Sequence, residues 1–199
     1  MKYGKKKSQP LTDDQGMALV ALARQTLADH FGESSGDESL EKRLRDDRLT
    51  ETAGIFVTLK IDDSLRGCIG SLWAKTTILT GVKDNALHAA FHDPRFPPLK
   101  REELDAVHIE VSVLSEPAPI SYGDADALLA KLRPGVDGVI IEKGSASATF
   151  LPQVWKQLPT PEGFLSNLCL KAGLPANAWR TGDLIVKTYQ VQYFEETRK

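Results

Sequence analysis

Ile55-Phe56-Val57-Thr58-Leu59-Lys60-Ile61, then Asp62-Asp63-Ser64, then Leu65-Arg66-Gly67-Cys68-Ile69-Gly70: this stretch decides how the chain folds. Two β-rich runs joined by a break of Asp and Ser read as a hairpin. In a second strand running from Leu65 to Leu72, side chains alternate between faces, so Arg66 and Cys68 share one face, roughly 6–7 Å apart. A guanidinium at that range favours thiolate over thiol. Gly67 and Gly70 add no packing to a strand, and interior glycines there mark a bulge or the close approach of a ligand or another backbone. The hexapeptide therefore reads as an activated thiol on an open backbone. Equally, a free cysteine packs well as a small buried hydrophobe.

Outward from the hairpin, the flanks supply helices and further strands. Thr12-Asp13-Asp14-Gln15 is a capping box that starts a helix running to about Phe31, where Gly32 stops it. Met17 to Ala23 is apolar on nearly all sides, so that helix is expected to be buried. Residues 40–49 are highly charged and read as a short surface helix or an extended loop. Ile78, Val82, Ala86, Ala89 and Ala90 form one stripe of a helix over 78–91, ended by Asp93-Pro94. Val107 to Leu114 alternates, with Val107, Ile109, Val111 and Val113 toward a core and His108, Glu110 and Ser112 on the other face. A helix over 124–133, a hairpin of 139–142 with 148–151, a helix over 164–172 and a last strand over 184–194 complete the reading. Helices and strands mix without strict βα alternation. The expected class is α+β, with mixed or antiparallel sheets and packed helices.

Candidate chemistry centres on the thiol. A nucleophilic Cys68 needs a base, for which His92 beside Asp93 and His108 near Glu110 are the candidates. His88 and His92 stand one helical turn apart, but the glutamate of a His-Glu-x-x-His zinc motif is replaced by Ala89, so no metal site is assigned. Arg95 in Asp93-Pro94-Arg95-Phe96 either binds an anion through its planar fork or pairs with Asp93 to fix the loop. Cys169, among Leu165, Leu168 and Ala172, reads as core. So do Trp155, Phe164 and Trp179, as core or lobe-interface residues. No Gly-rich phosphate-binding fingerprint is present.

The hexapeptide Leu65–Gly70 also closely resembles the signature of the AMMECR family, named after the chromosomal region of Alport syndrome, midface hypoplasia and elliptocytosis. Five more stretches resemble that family in order: Gly54 to Leu59, Asp93 to Pro98, Val111 to Leu114, Phe150 to Val154 and Leu168 to Leu174. The resemblance implies one compact α+β domain over 11–199, with two unequal lobes forming a cleft and the hexapeptide near it; the Lys-rich start itself makes residues 1–10 read as a disordered basic tail. It also suggests a functional link to Memo-like and radical-SAM proteins, and leaves the biochemical role and any cofactor unknown.

Composition narrows the classes. A net charge of −2 argues against a generally nucleic-acid-binding surface. No apolar run approaches the length of a membrane span, and the Lys-rich start lacks the apolar segment of a signal peptide. Two cysteines form no disulfide framework, which fits a reducing, cytoplasmic setting. Two functions remain. One is a cleft enzyme or small-molecule-binding domain using Cys68 and Arg66, with Gly67, Gly70, Asp93, Arg95, Glu110 and Ser112 as ligand-binding residues. The other is a non-catalytic regulatory module, in which the glycines admit a partner protein.

Overall fold

The computed structural model describes residues 9–33 and 36–197. Apart from Gln9 and Pro10, the tail read at 1–10 lies outside the described residues. The fold is α+β, and the chain divides into two compact units. One runs to Leu114 and takes the chain back from Gln192; the other is Ser115–Val191.

In the first unit, helix α1 (Asp13–His30) begins at the expected capping box: Thr12 accepts from the Gln15 N–H, and the Gln15 side chain accepts from the Thr12 N–H at 2.9 Å. Gly32, at φ +78°, provides the left-handed stop. The charged segment resolves into helix α2 (Glu38–Arg43), followed by a 3₁₀ turn at Asp47–Thr50. Strands β1 (Gly54–Ile61) and β2 (Ser64–Ser71) form the expected hairpin. Asp62 and Asp63 both take positive φ, 49° and 62°, the signature of a two-residue primed turn, which Asp tolerates better than most residues. Helix α3 (Ile78–Phe91) and strand β3 (His108–Leu114) follow. The first sheet has the order β2-β1-β3-β8, where β8 is Val191–Glu195. The side chains of Ile55, Val57, Leu59, Ile109, Val111 and Val113 on one face of this sheet join α1 and α3 in one core.

The second unit holds β4 (Ala118–Pro119), α4 (Ala125–Lys131), β5 (Gly138–Lys143), β6 (Ala146–Phe150), α5 (Pro161–Lys171) and β7 (Ile185–Tyr189). Its sheet order is β4-β7-β5-β6. Val139, Ile141 and Val186 pack against Leu128 of α4, Phe164, Leu165, Leu168 and Cys169 of α5, and Trp155 and Trp179. The Trp155 and Phe164 rings stack at 3.8 Å. Helix α5 begins three residues before the expected start: Thr160 caps it and Pro161 occupies its first position, where a missing N–H costs nothing.

The single last strand expected over 184–194 is corrected. It is two strands, β7 and β8, in two different sheets. The break falls at Gln190, whose carbonyl accepts from the Ser115 N–H and whose N–H donates to the Ser115 hydroxyl, both at 2.9 Å. Alternation persists through the break, so periodicity alone does not reveal it.

Candidate functional site

The hairpin register carries a correction. Leu59 pairs with Gly67 and Lys60 with Leu65, which leaves Arg66 as the extra residue of a β-bulge. The bulge breaks the simple alternation that set Arg66 beside Cys68. The Arg66 guanidinium instead holds Glu103, through Nε at 2.8 Å and Nη2 at 3.0 Å, and donates to the carbonyls of Pro97 and Pro98. Its bond to Glu103 raises the Arg66 pKa and lowers that of Glu103.

The arginine at Cys68 is Arg95. β2 is an edge strand, and the backbone of Cys68 points outward from it. The Cys68 N–H donates to Asp93 Oδ2 at 2.9 Å, and Arg95 Nη2 donates to the Cys68 carbonyl at 3.1 Å. Arg95 also grips both Asp93 oxygens, at 2.9 and 2.7 Å. The Asp93–Arg95 loop thus closes the strand edge at Cys68, where unpaired backbone groups would otherwise face outward. The Asp93 side chain is buried, and the Arg95 hydrogen bonds hold its carboxyl well below the usual range. Of the two readings of Arg95, the loop-fixing pair describes these contacts.

The two glycines have specific occupants. A Cβ on Gly67 would lie 2.1 Å from the Ala89 carbonyl oxygen of α3. A Cβ on Gly70 would lie 2.3 Å from both the Ile55 carbonyl oxygen and the ring of Phe56, its cross-strand partner. The close approach inferred at these glycines is real, and it is made by the chain's own backbone and an aromatic ring.

The thiol belongs to the polar face of the first sheet. Thr58 pairs with Cys68 on one side and Glu110 on the other, so three side chains stand in one row across β2, β1 and β3. The Thr58 hydroxyl donates to Cys68 Sγ at 3.3 Å. One position along, Lys60 Nζ reaches Glu110 Oε2 at 2.8 Å, and the buried Ser112 contacts Glu110 Oε1 at 3.5 Å. His108 pairs in register with Lys60 and lies 3.6 Å from Glu195; its Nε2 is buried without a hydrogen-bond partner among the described residues. The Val107, Ile109, Val111 and Val113 side chains enter the core, as the alternation of β3 requires. Cys68, Glu110 and Ser112 are thus assembled on one surface, with Asp93 and Arg95 holding the edge beside it. Arg66 is tied to Glu103.

His88 and His92 meet as rings at 5.4 Å. Among the described residues no cluster of three His, Cys, Asp or Glu side chains could hold a metal ion. Thr58 and Lys60 escaped the sequence reading, although they are the two polar positions of an otherwise apolar run and share a face by alternation. Glu103 gives no comparable local signal. Cys169 is fully buried, and burial pushes its thiol pKa up.

Residues 20–194 match the model of the AMMECR1 family. The chain belongs to the AMMECR1 family. A relative from Methanothermobacter thermautotrophicus is 39% identical over 98% of this chain and 99% of its own length. One from Nanoarchaeum equitans is 42% identical over 90% and 99%. The crystal structure of an uncharacterized protein from Pyrococcus horikoshii superposes with a TM-score of 0.75 at 35% identity, covering 94% of this AMMECR1-family chain and 93% of that one. No helix among the described residues is long and apolar enough to cross a membrane.

Proposed function

We propose that this AMMECR1-family domain binds a small polar molecule on the outer face of its first sheet, and that the Cys68 thiol is the group that engages it. The observation that carries the reading is the row Cys68–Thr58–Glu110, with the Thr58 hydroxyl on Sγ and Lys60 on the carboxylate. A purely structural sheet face needs no such set. Partly buried charges and hydroxyls cost desolvation, and apolar residues of the same volume stabilise a fold at least as well. Glu110, Lys60 and Ser112 supply polar partners for a ligand beside the thiol. Asp93 and Arg95 act through the Cys68 backbone and are positioning residues. A reducing cytoplasm, which keeps the thiol free, suits this chemistry.

The test is alkylation of the native protein by iodoacetamide, with modified cysteines assigned by mass spectrometry. Cys68 is expected to react at least tenfold faster than Cys169, and Thr58→Val to change the Cys68 rate severalfold without changing Cys169. Equal rates, or a Cys68 that reacts only after unfolding, would overturn the thiol-centred reading.

A further inference from the structure

A concavity lies across the sheet from Cys68. Where the ends of β1 and β2 meet the first turns of α3, a pocket of about 160 Å³ opens on the core-facing side of the sheet. Ala53 and Ile55 form its apolar floor, and the indole of Trp73, 48% exposed, forms a wall. Lys75 lines it from the loop that leads into α3, while Asp84 and His88, one helical turn apart, line it from the helix.

We propose that this pocket binds a small zwitterion, a free amino acid with a compact apolar side chain. Three observations converge. First, the pocket carries both signs of charge, and the ion pairs of the described residues involve neither Lys75 nor Asp84. Second, the two charges stand at different ends. Lys75 lies just before the Thr77 cap, beside the N-terminus of a 14-residue helix, where backbone N–H groups add positive potential; Asp84 lies nearly two turns further along. A carboxylate is favoured at the Lys75 end and an ammonium at the Asp84 end. An anion alone would meet Asp84, and a cation alone would meet Lys75. Third, the pocket is small, about 160 Å³, a size that suits a compact solute. The floor and the indole wall give an aliphatic side chain apolar surface to cover.

The experiment titrates the protein with L-alanine, L-valine and L-leucine, by calorimetry and by tryptophan fluorescence. Trp155 and Trp179 are buried in the other unit, so the fluorescence change is expected to come from Trp73 and to vanish in Trp73→Phe. Saturable binding with a dissociation constant on the order of 1 mM or tighter is expected. Lys75→Gln and Asp84→Asn, both at exposed positions, are each expected to weaken it tenfold or more while the circular dichroism spectrum stays unchanged. Acetate and methylammonium, each carrying one half of the zwitterion, are expected not to compete at the same concentrations. No saturation in the millimolar range, competition by acetate alone, or full affinity in both charge variants would overturn the proposal. Alkylation of Cys68 is a separate readout, so this result and the thiol reading stand or fall independently.

Discussion

Replacing Gly67 by Ala tests the contact that most constrains the hairpin. The new Cβ would meet the Ala89 carbonyl oxygen at 2.1 Å, where ordinary contact begins near 3.4 Å. Helix α3 must therefore retreat by roughly 1.3 Å, or β2 must buckle. Neither is cheap. Ile78, Val82, Ala86, Ala89 and Ala90 of α3 are all buried in the core that β1 and β3 complete. A gap of 0.5–1 Å already forfeits about a quarter to a half of a dispersion contact. Overpacking of this kind costs about 1–3 kcal/mol. Gly67 is not in the left-handed region, so Ala gains back about 0.4–1 kcal/mol through the unfolded chain. A net loss of about 1–2 kcal/mol is expected, which for a chain of this size lowers Tm by about 2–8 °C. The assay is urea and thermal unfolding followed by circular dichroism. Gly123→Ala, with nothing within 4 Å of its Cβ and no left-handed φ, serves as the control and should be more stable than wild type by about 0.4–1 kcal/mol, through the same unfolded-chain effect. If Gly67→Ala is as stable as that control, the helix does not sit on the strand as described, and the open-backbone reading of Gly67 returns.

Arg66→Ala is expected to lower stability by about 1 kcal/mol through loss of the Glu103 contact, yet to leave the alkylation rate of Cys68 within about twofold of wild type; a large rate change would restore the Arg66–Cys68 pairing. The Asp93 carboxyl has a depressed folded pKa, so its contribution is complete above the unfolded value near 3.9 and is lost as pH falls through the folded value. Unfolding measured from pH 6 downward should therefore show a shallower acid limb in Asp93→Asn, and an unchanged limb would refute the assignment. Burial pushes the Tyr189 hydroxyl pKa up to about 12, so its contribution is complete below the unfolded value near 10 and is lost as pH rises toward 12. Tyr189→Phe should flatten that alkaline loss, and in an absorbance titration it should remove one tyrosine that ionises above the ordinary step near pH 10, while Tyr122, whose hydroxyl burial also pushes up, stays in that late fraction.

Most elements were legible because their signals are local. The Thr12–Gln15 capping box, Gly32 at the end of α1, the apolar stripe and Asp93-Pro94 stop of α3, and the alternation of β3 all act within four residues or one period. Thr160-Pro161 carried an equally local start for α5 that the apolar pattern overshadowed. The hairpin was legible from two β-rich runs and an Asp-Asp turn. The AMMECR resemblance added the family, which the comparisons bear out over residues 20–194.

At the candidate site, Cys68 itself was legible, as was the shared face of Glu110 and Ser112. Its partners were not. Arg66 leaves Cys68 because of one extra residue in the register, and register is set jointly by both partner strands. Arg95 reaches Cys68 across 27 positions, Glu103 reaches Arg66 across 37, and Ala89 fills the space at Gly67 across 22. The break at Gln190 exists because two sheets compete for one extended segment, and Ser115 secures it from 75 positions away. The sequence by itself determined most of the segments that are helix or strand, and the apolar face of α3 and β3, because caps, turns and periodicity are properties of neighbouring residues. Only the tertiary structure decided which arginine holds the thiol's backbone and what the glycines admit, because those depend on distances between segments that no local pattern encodes.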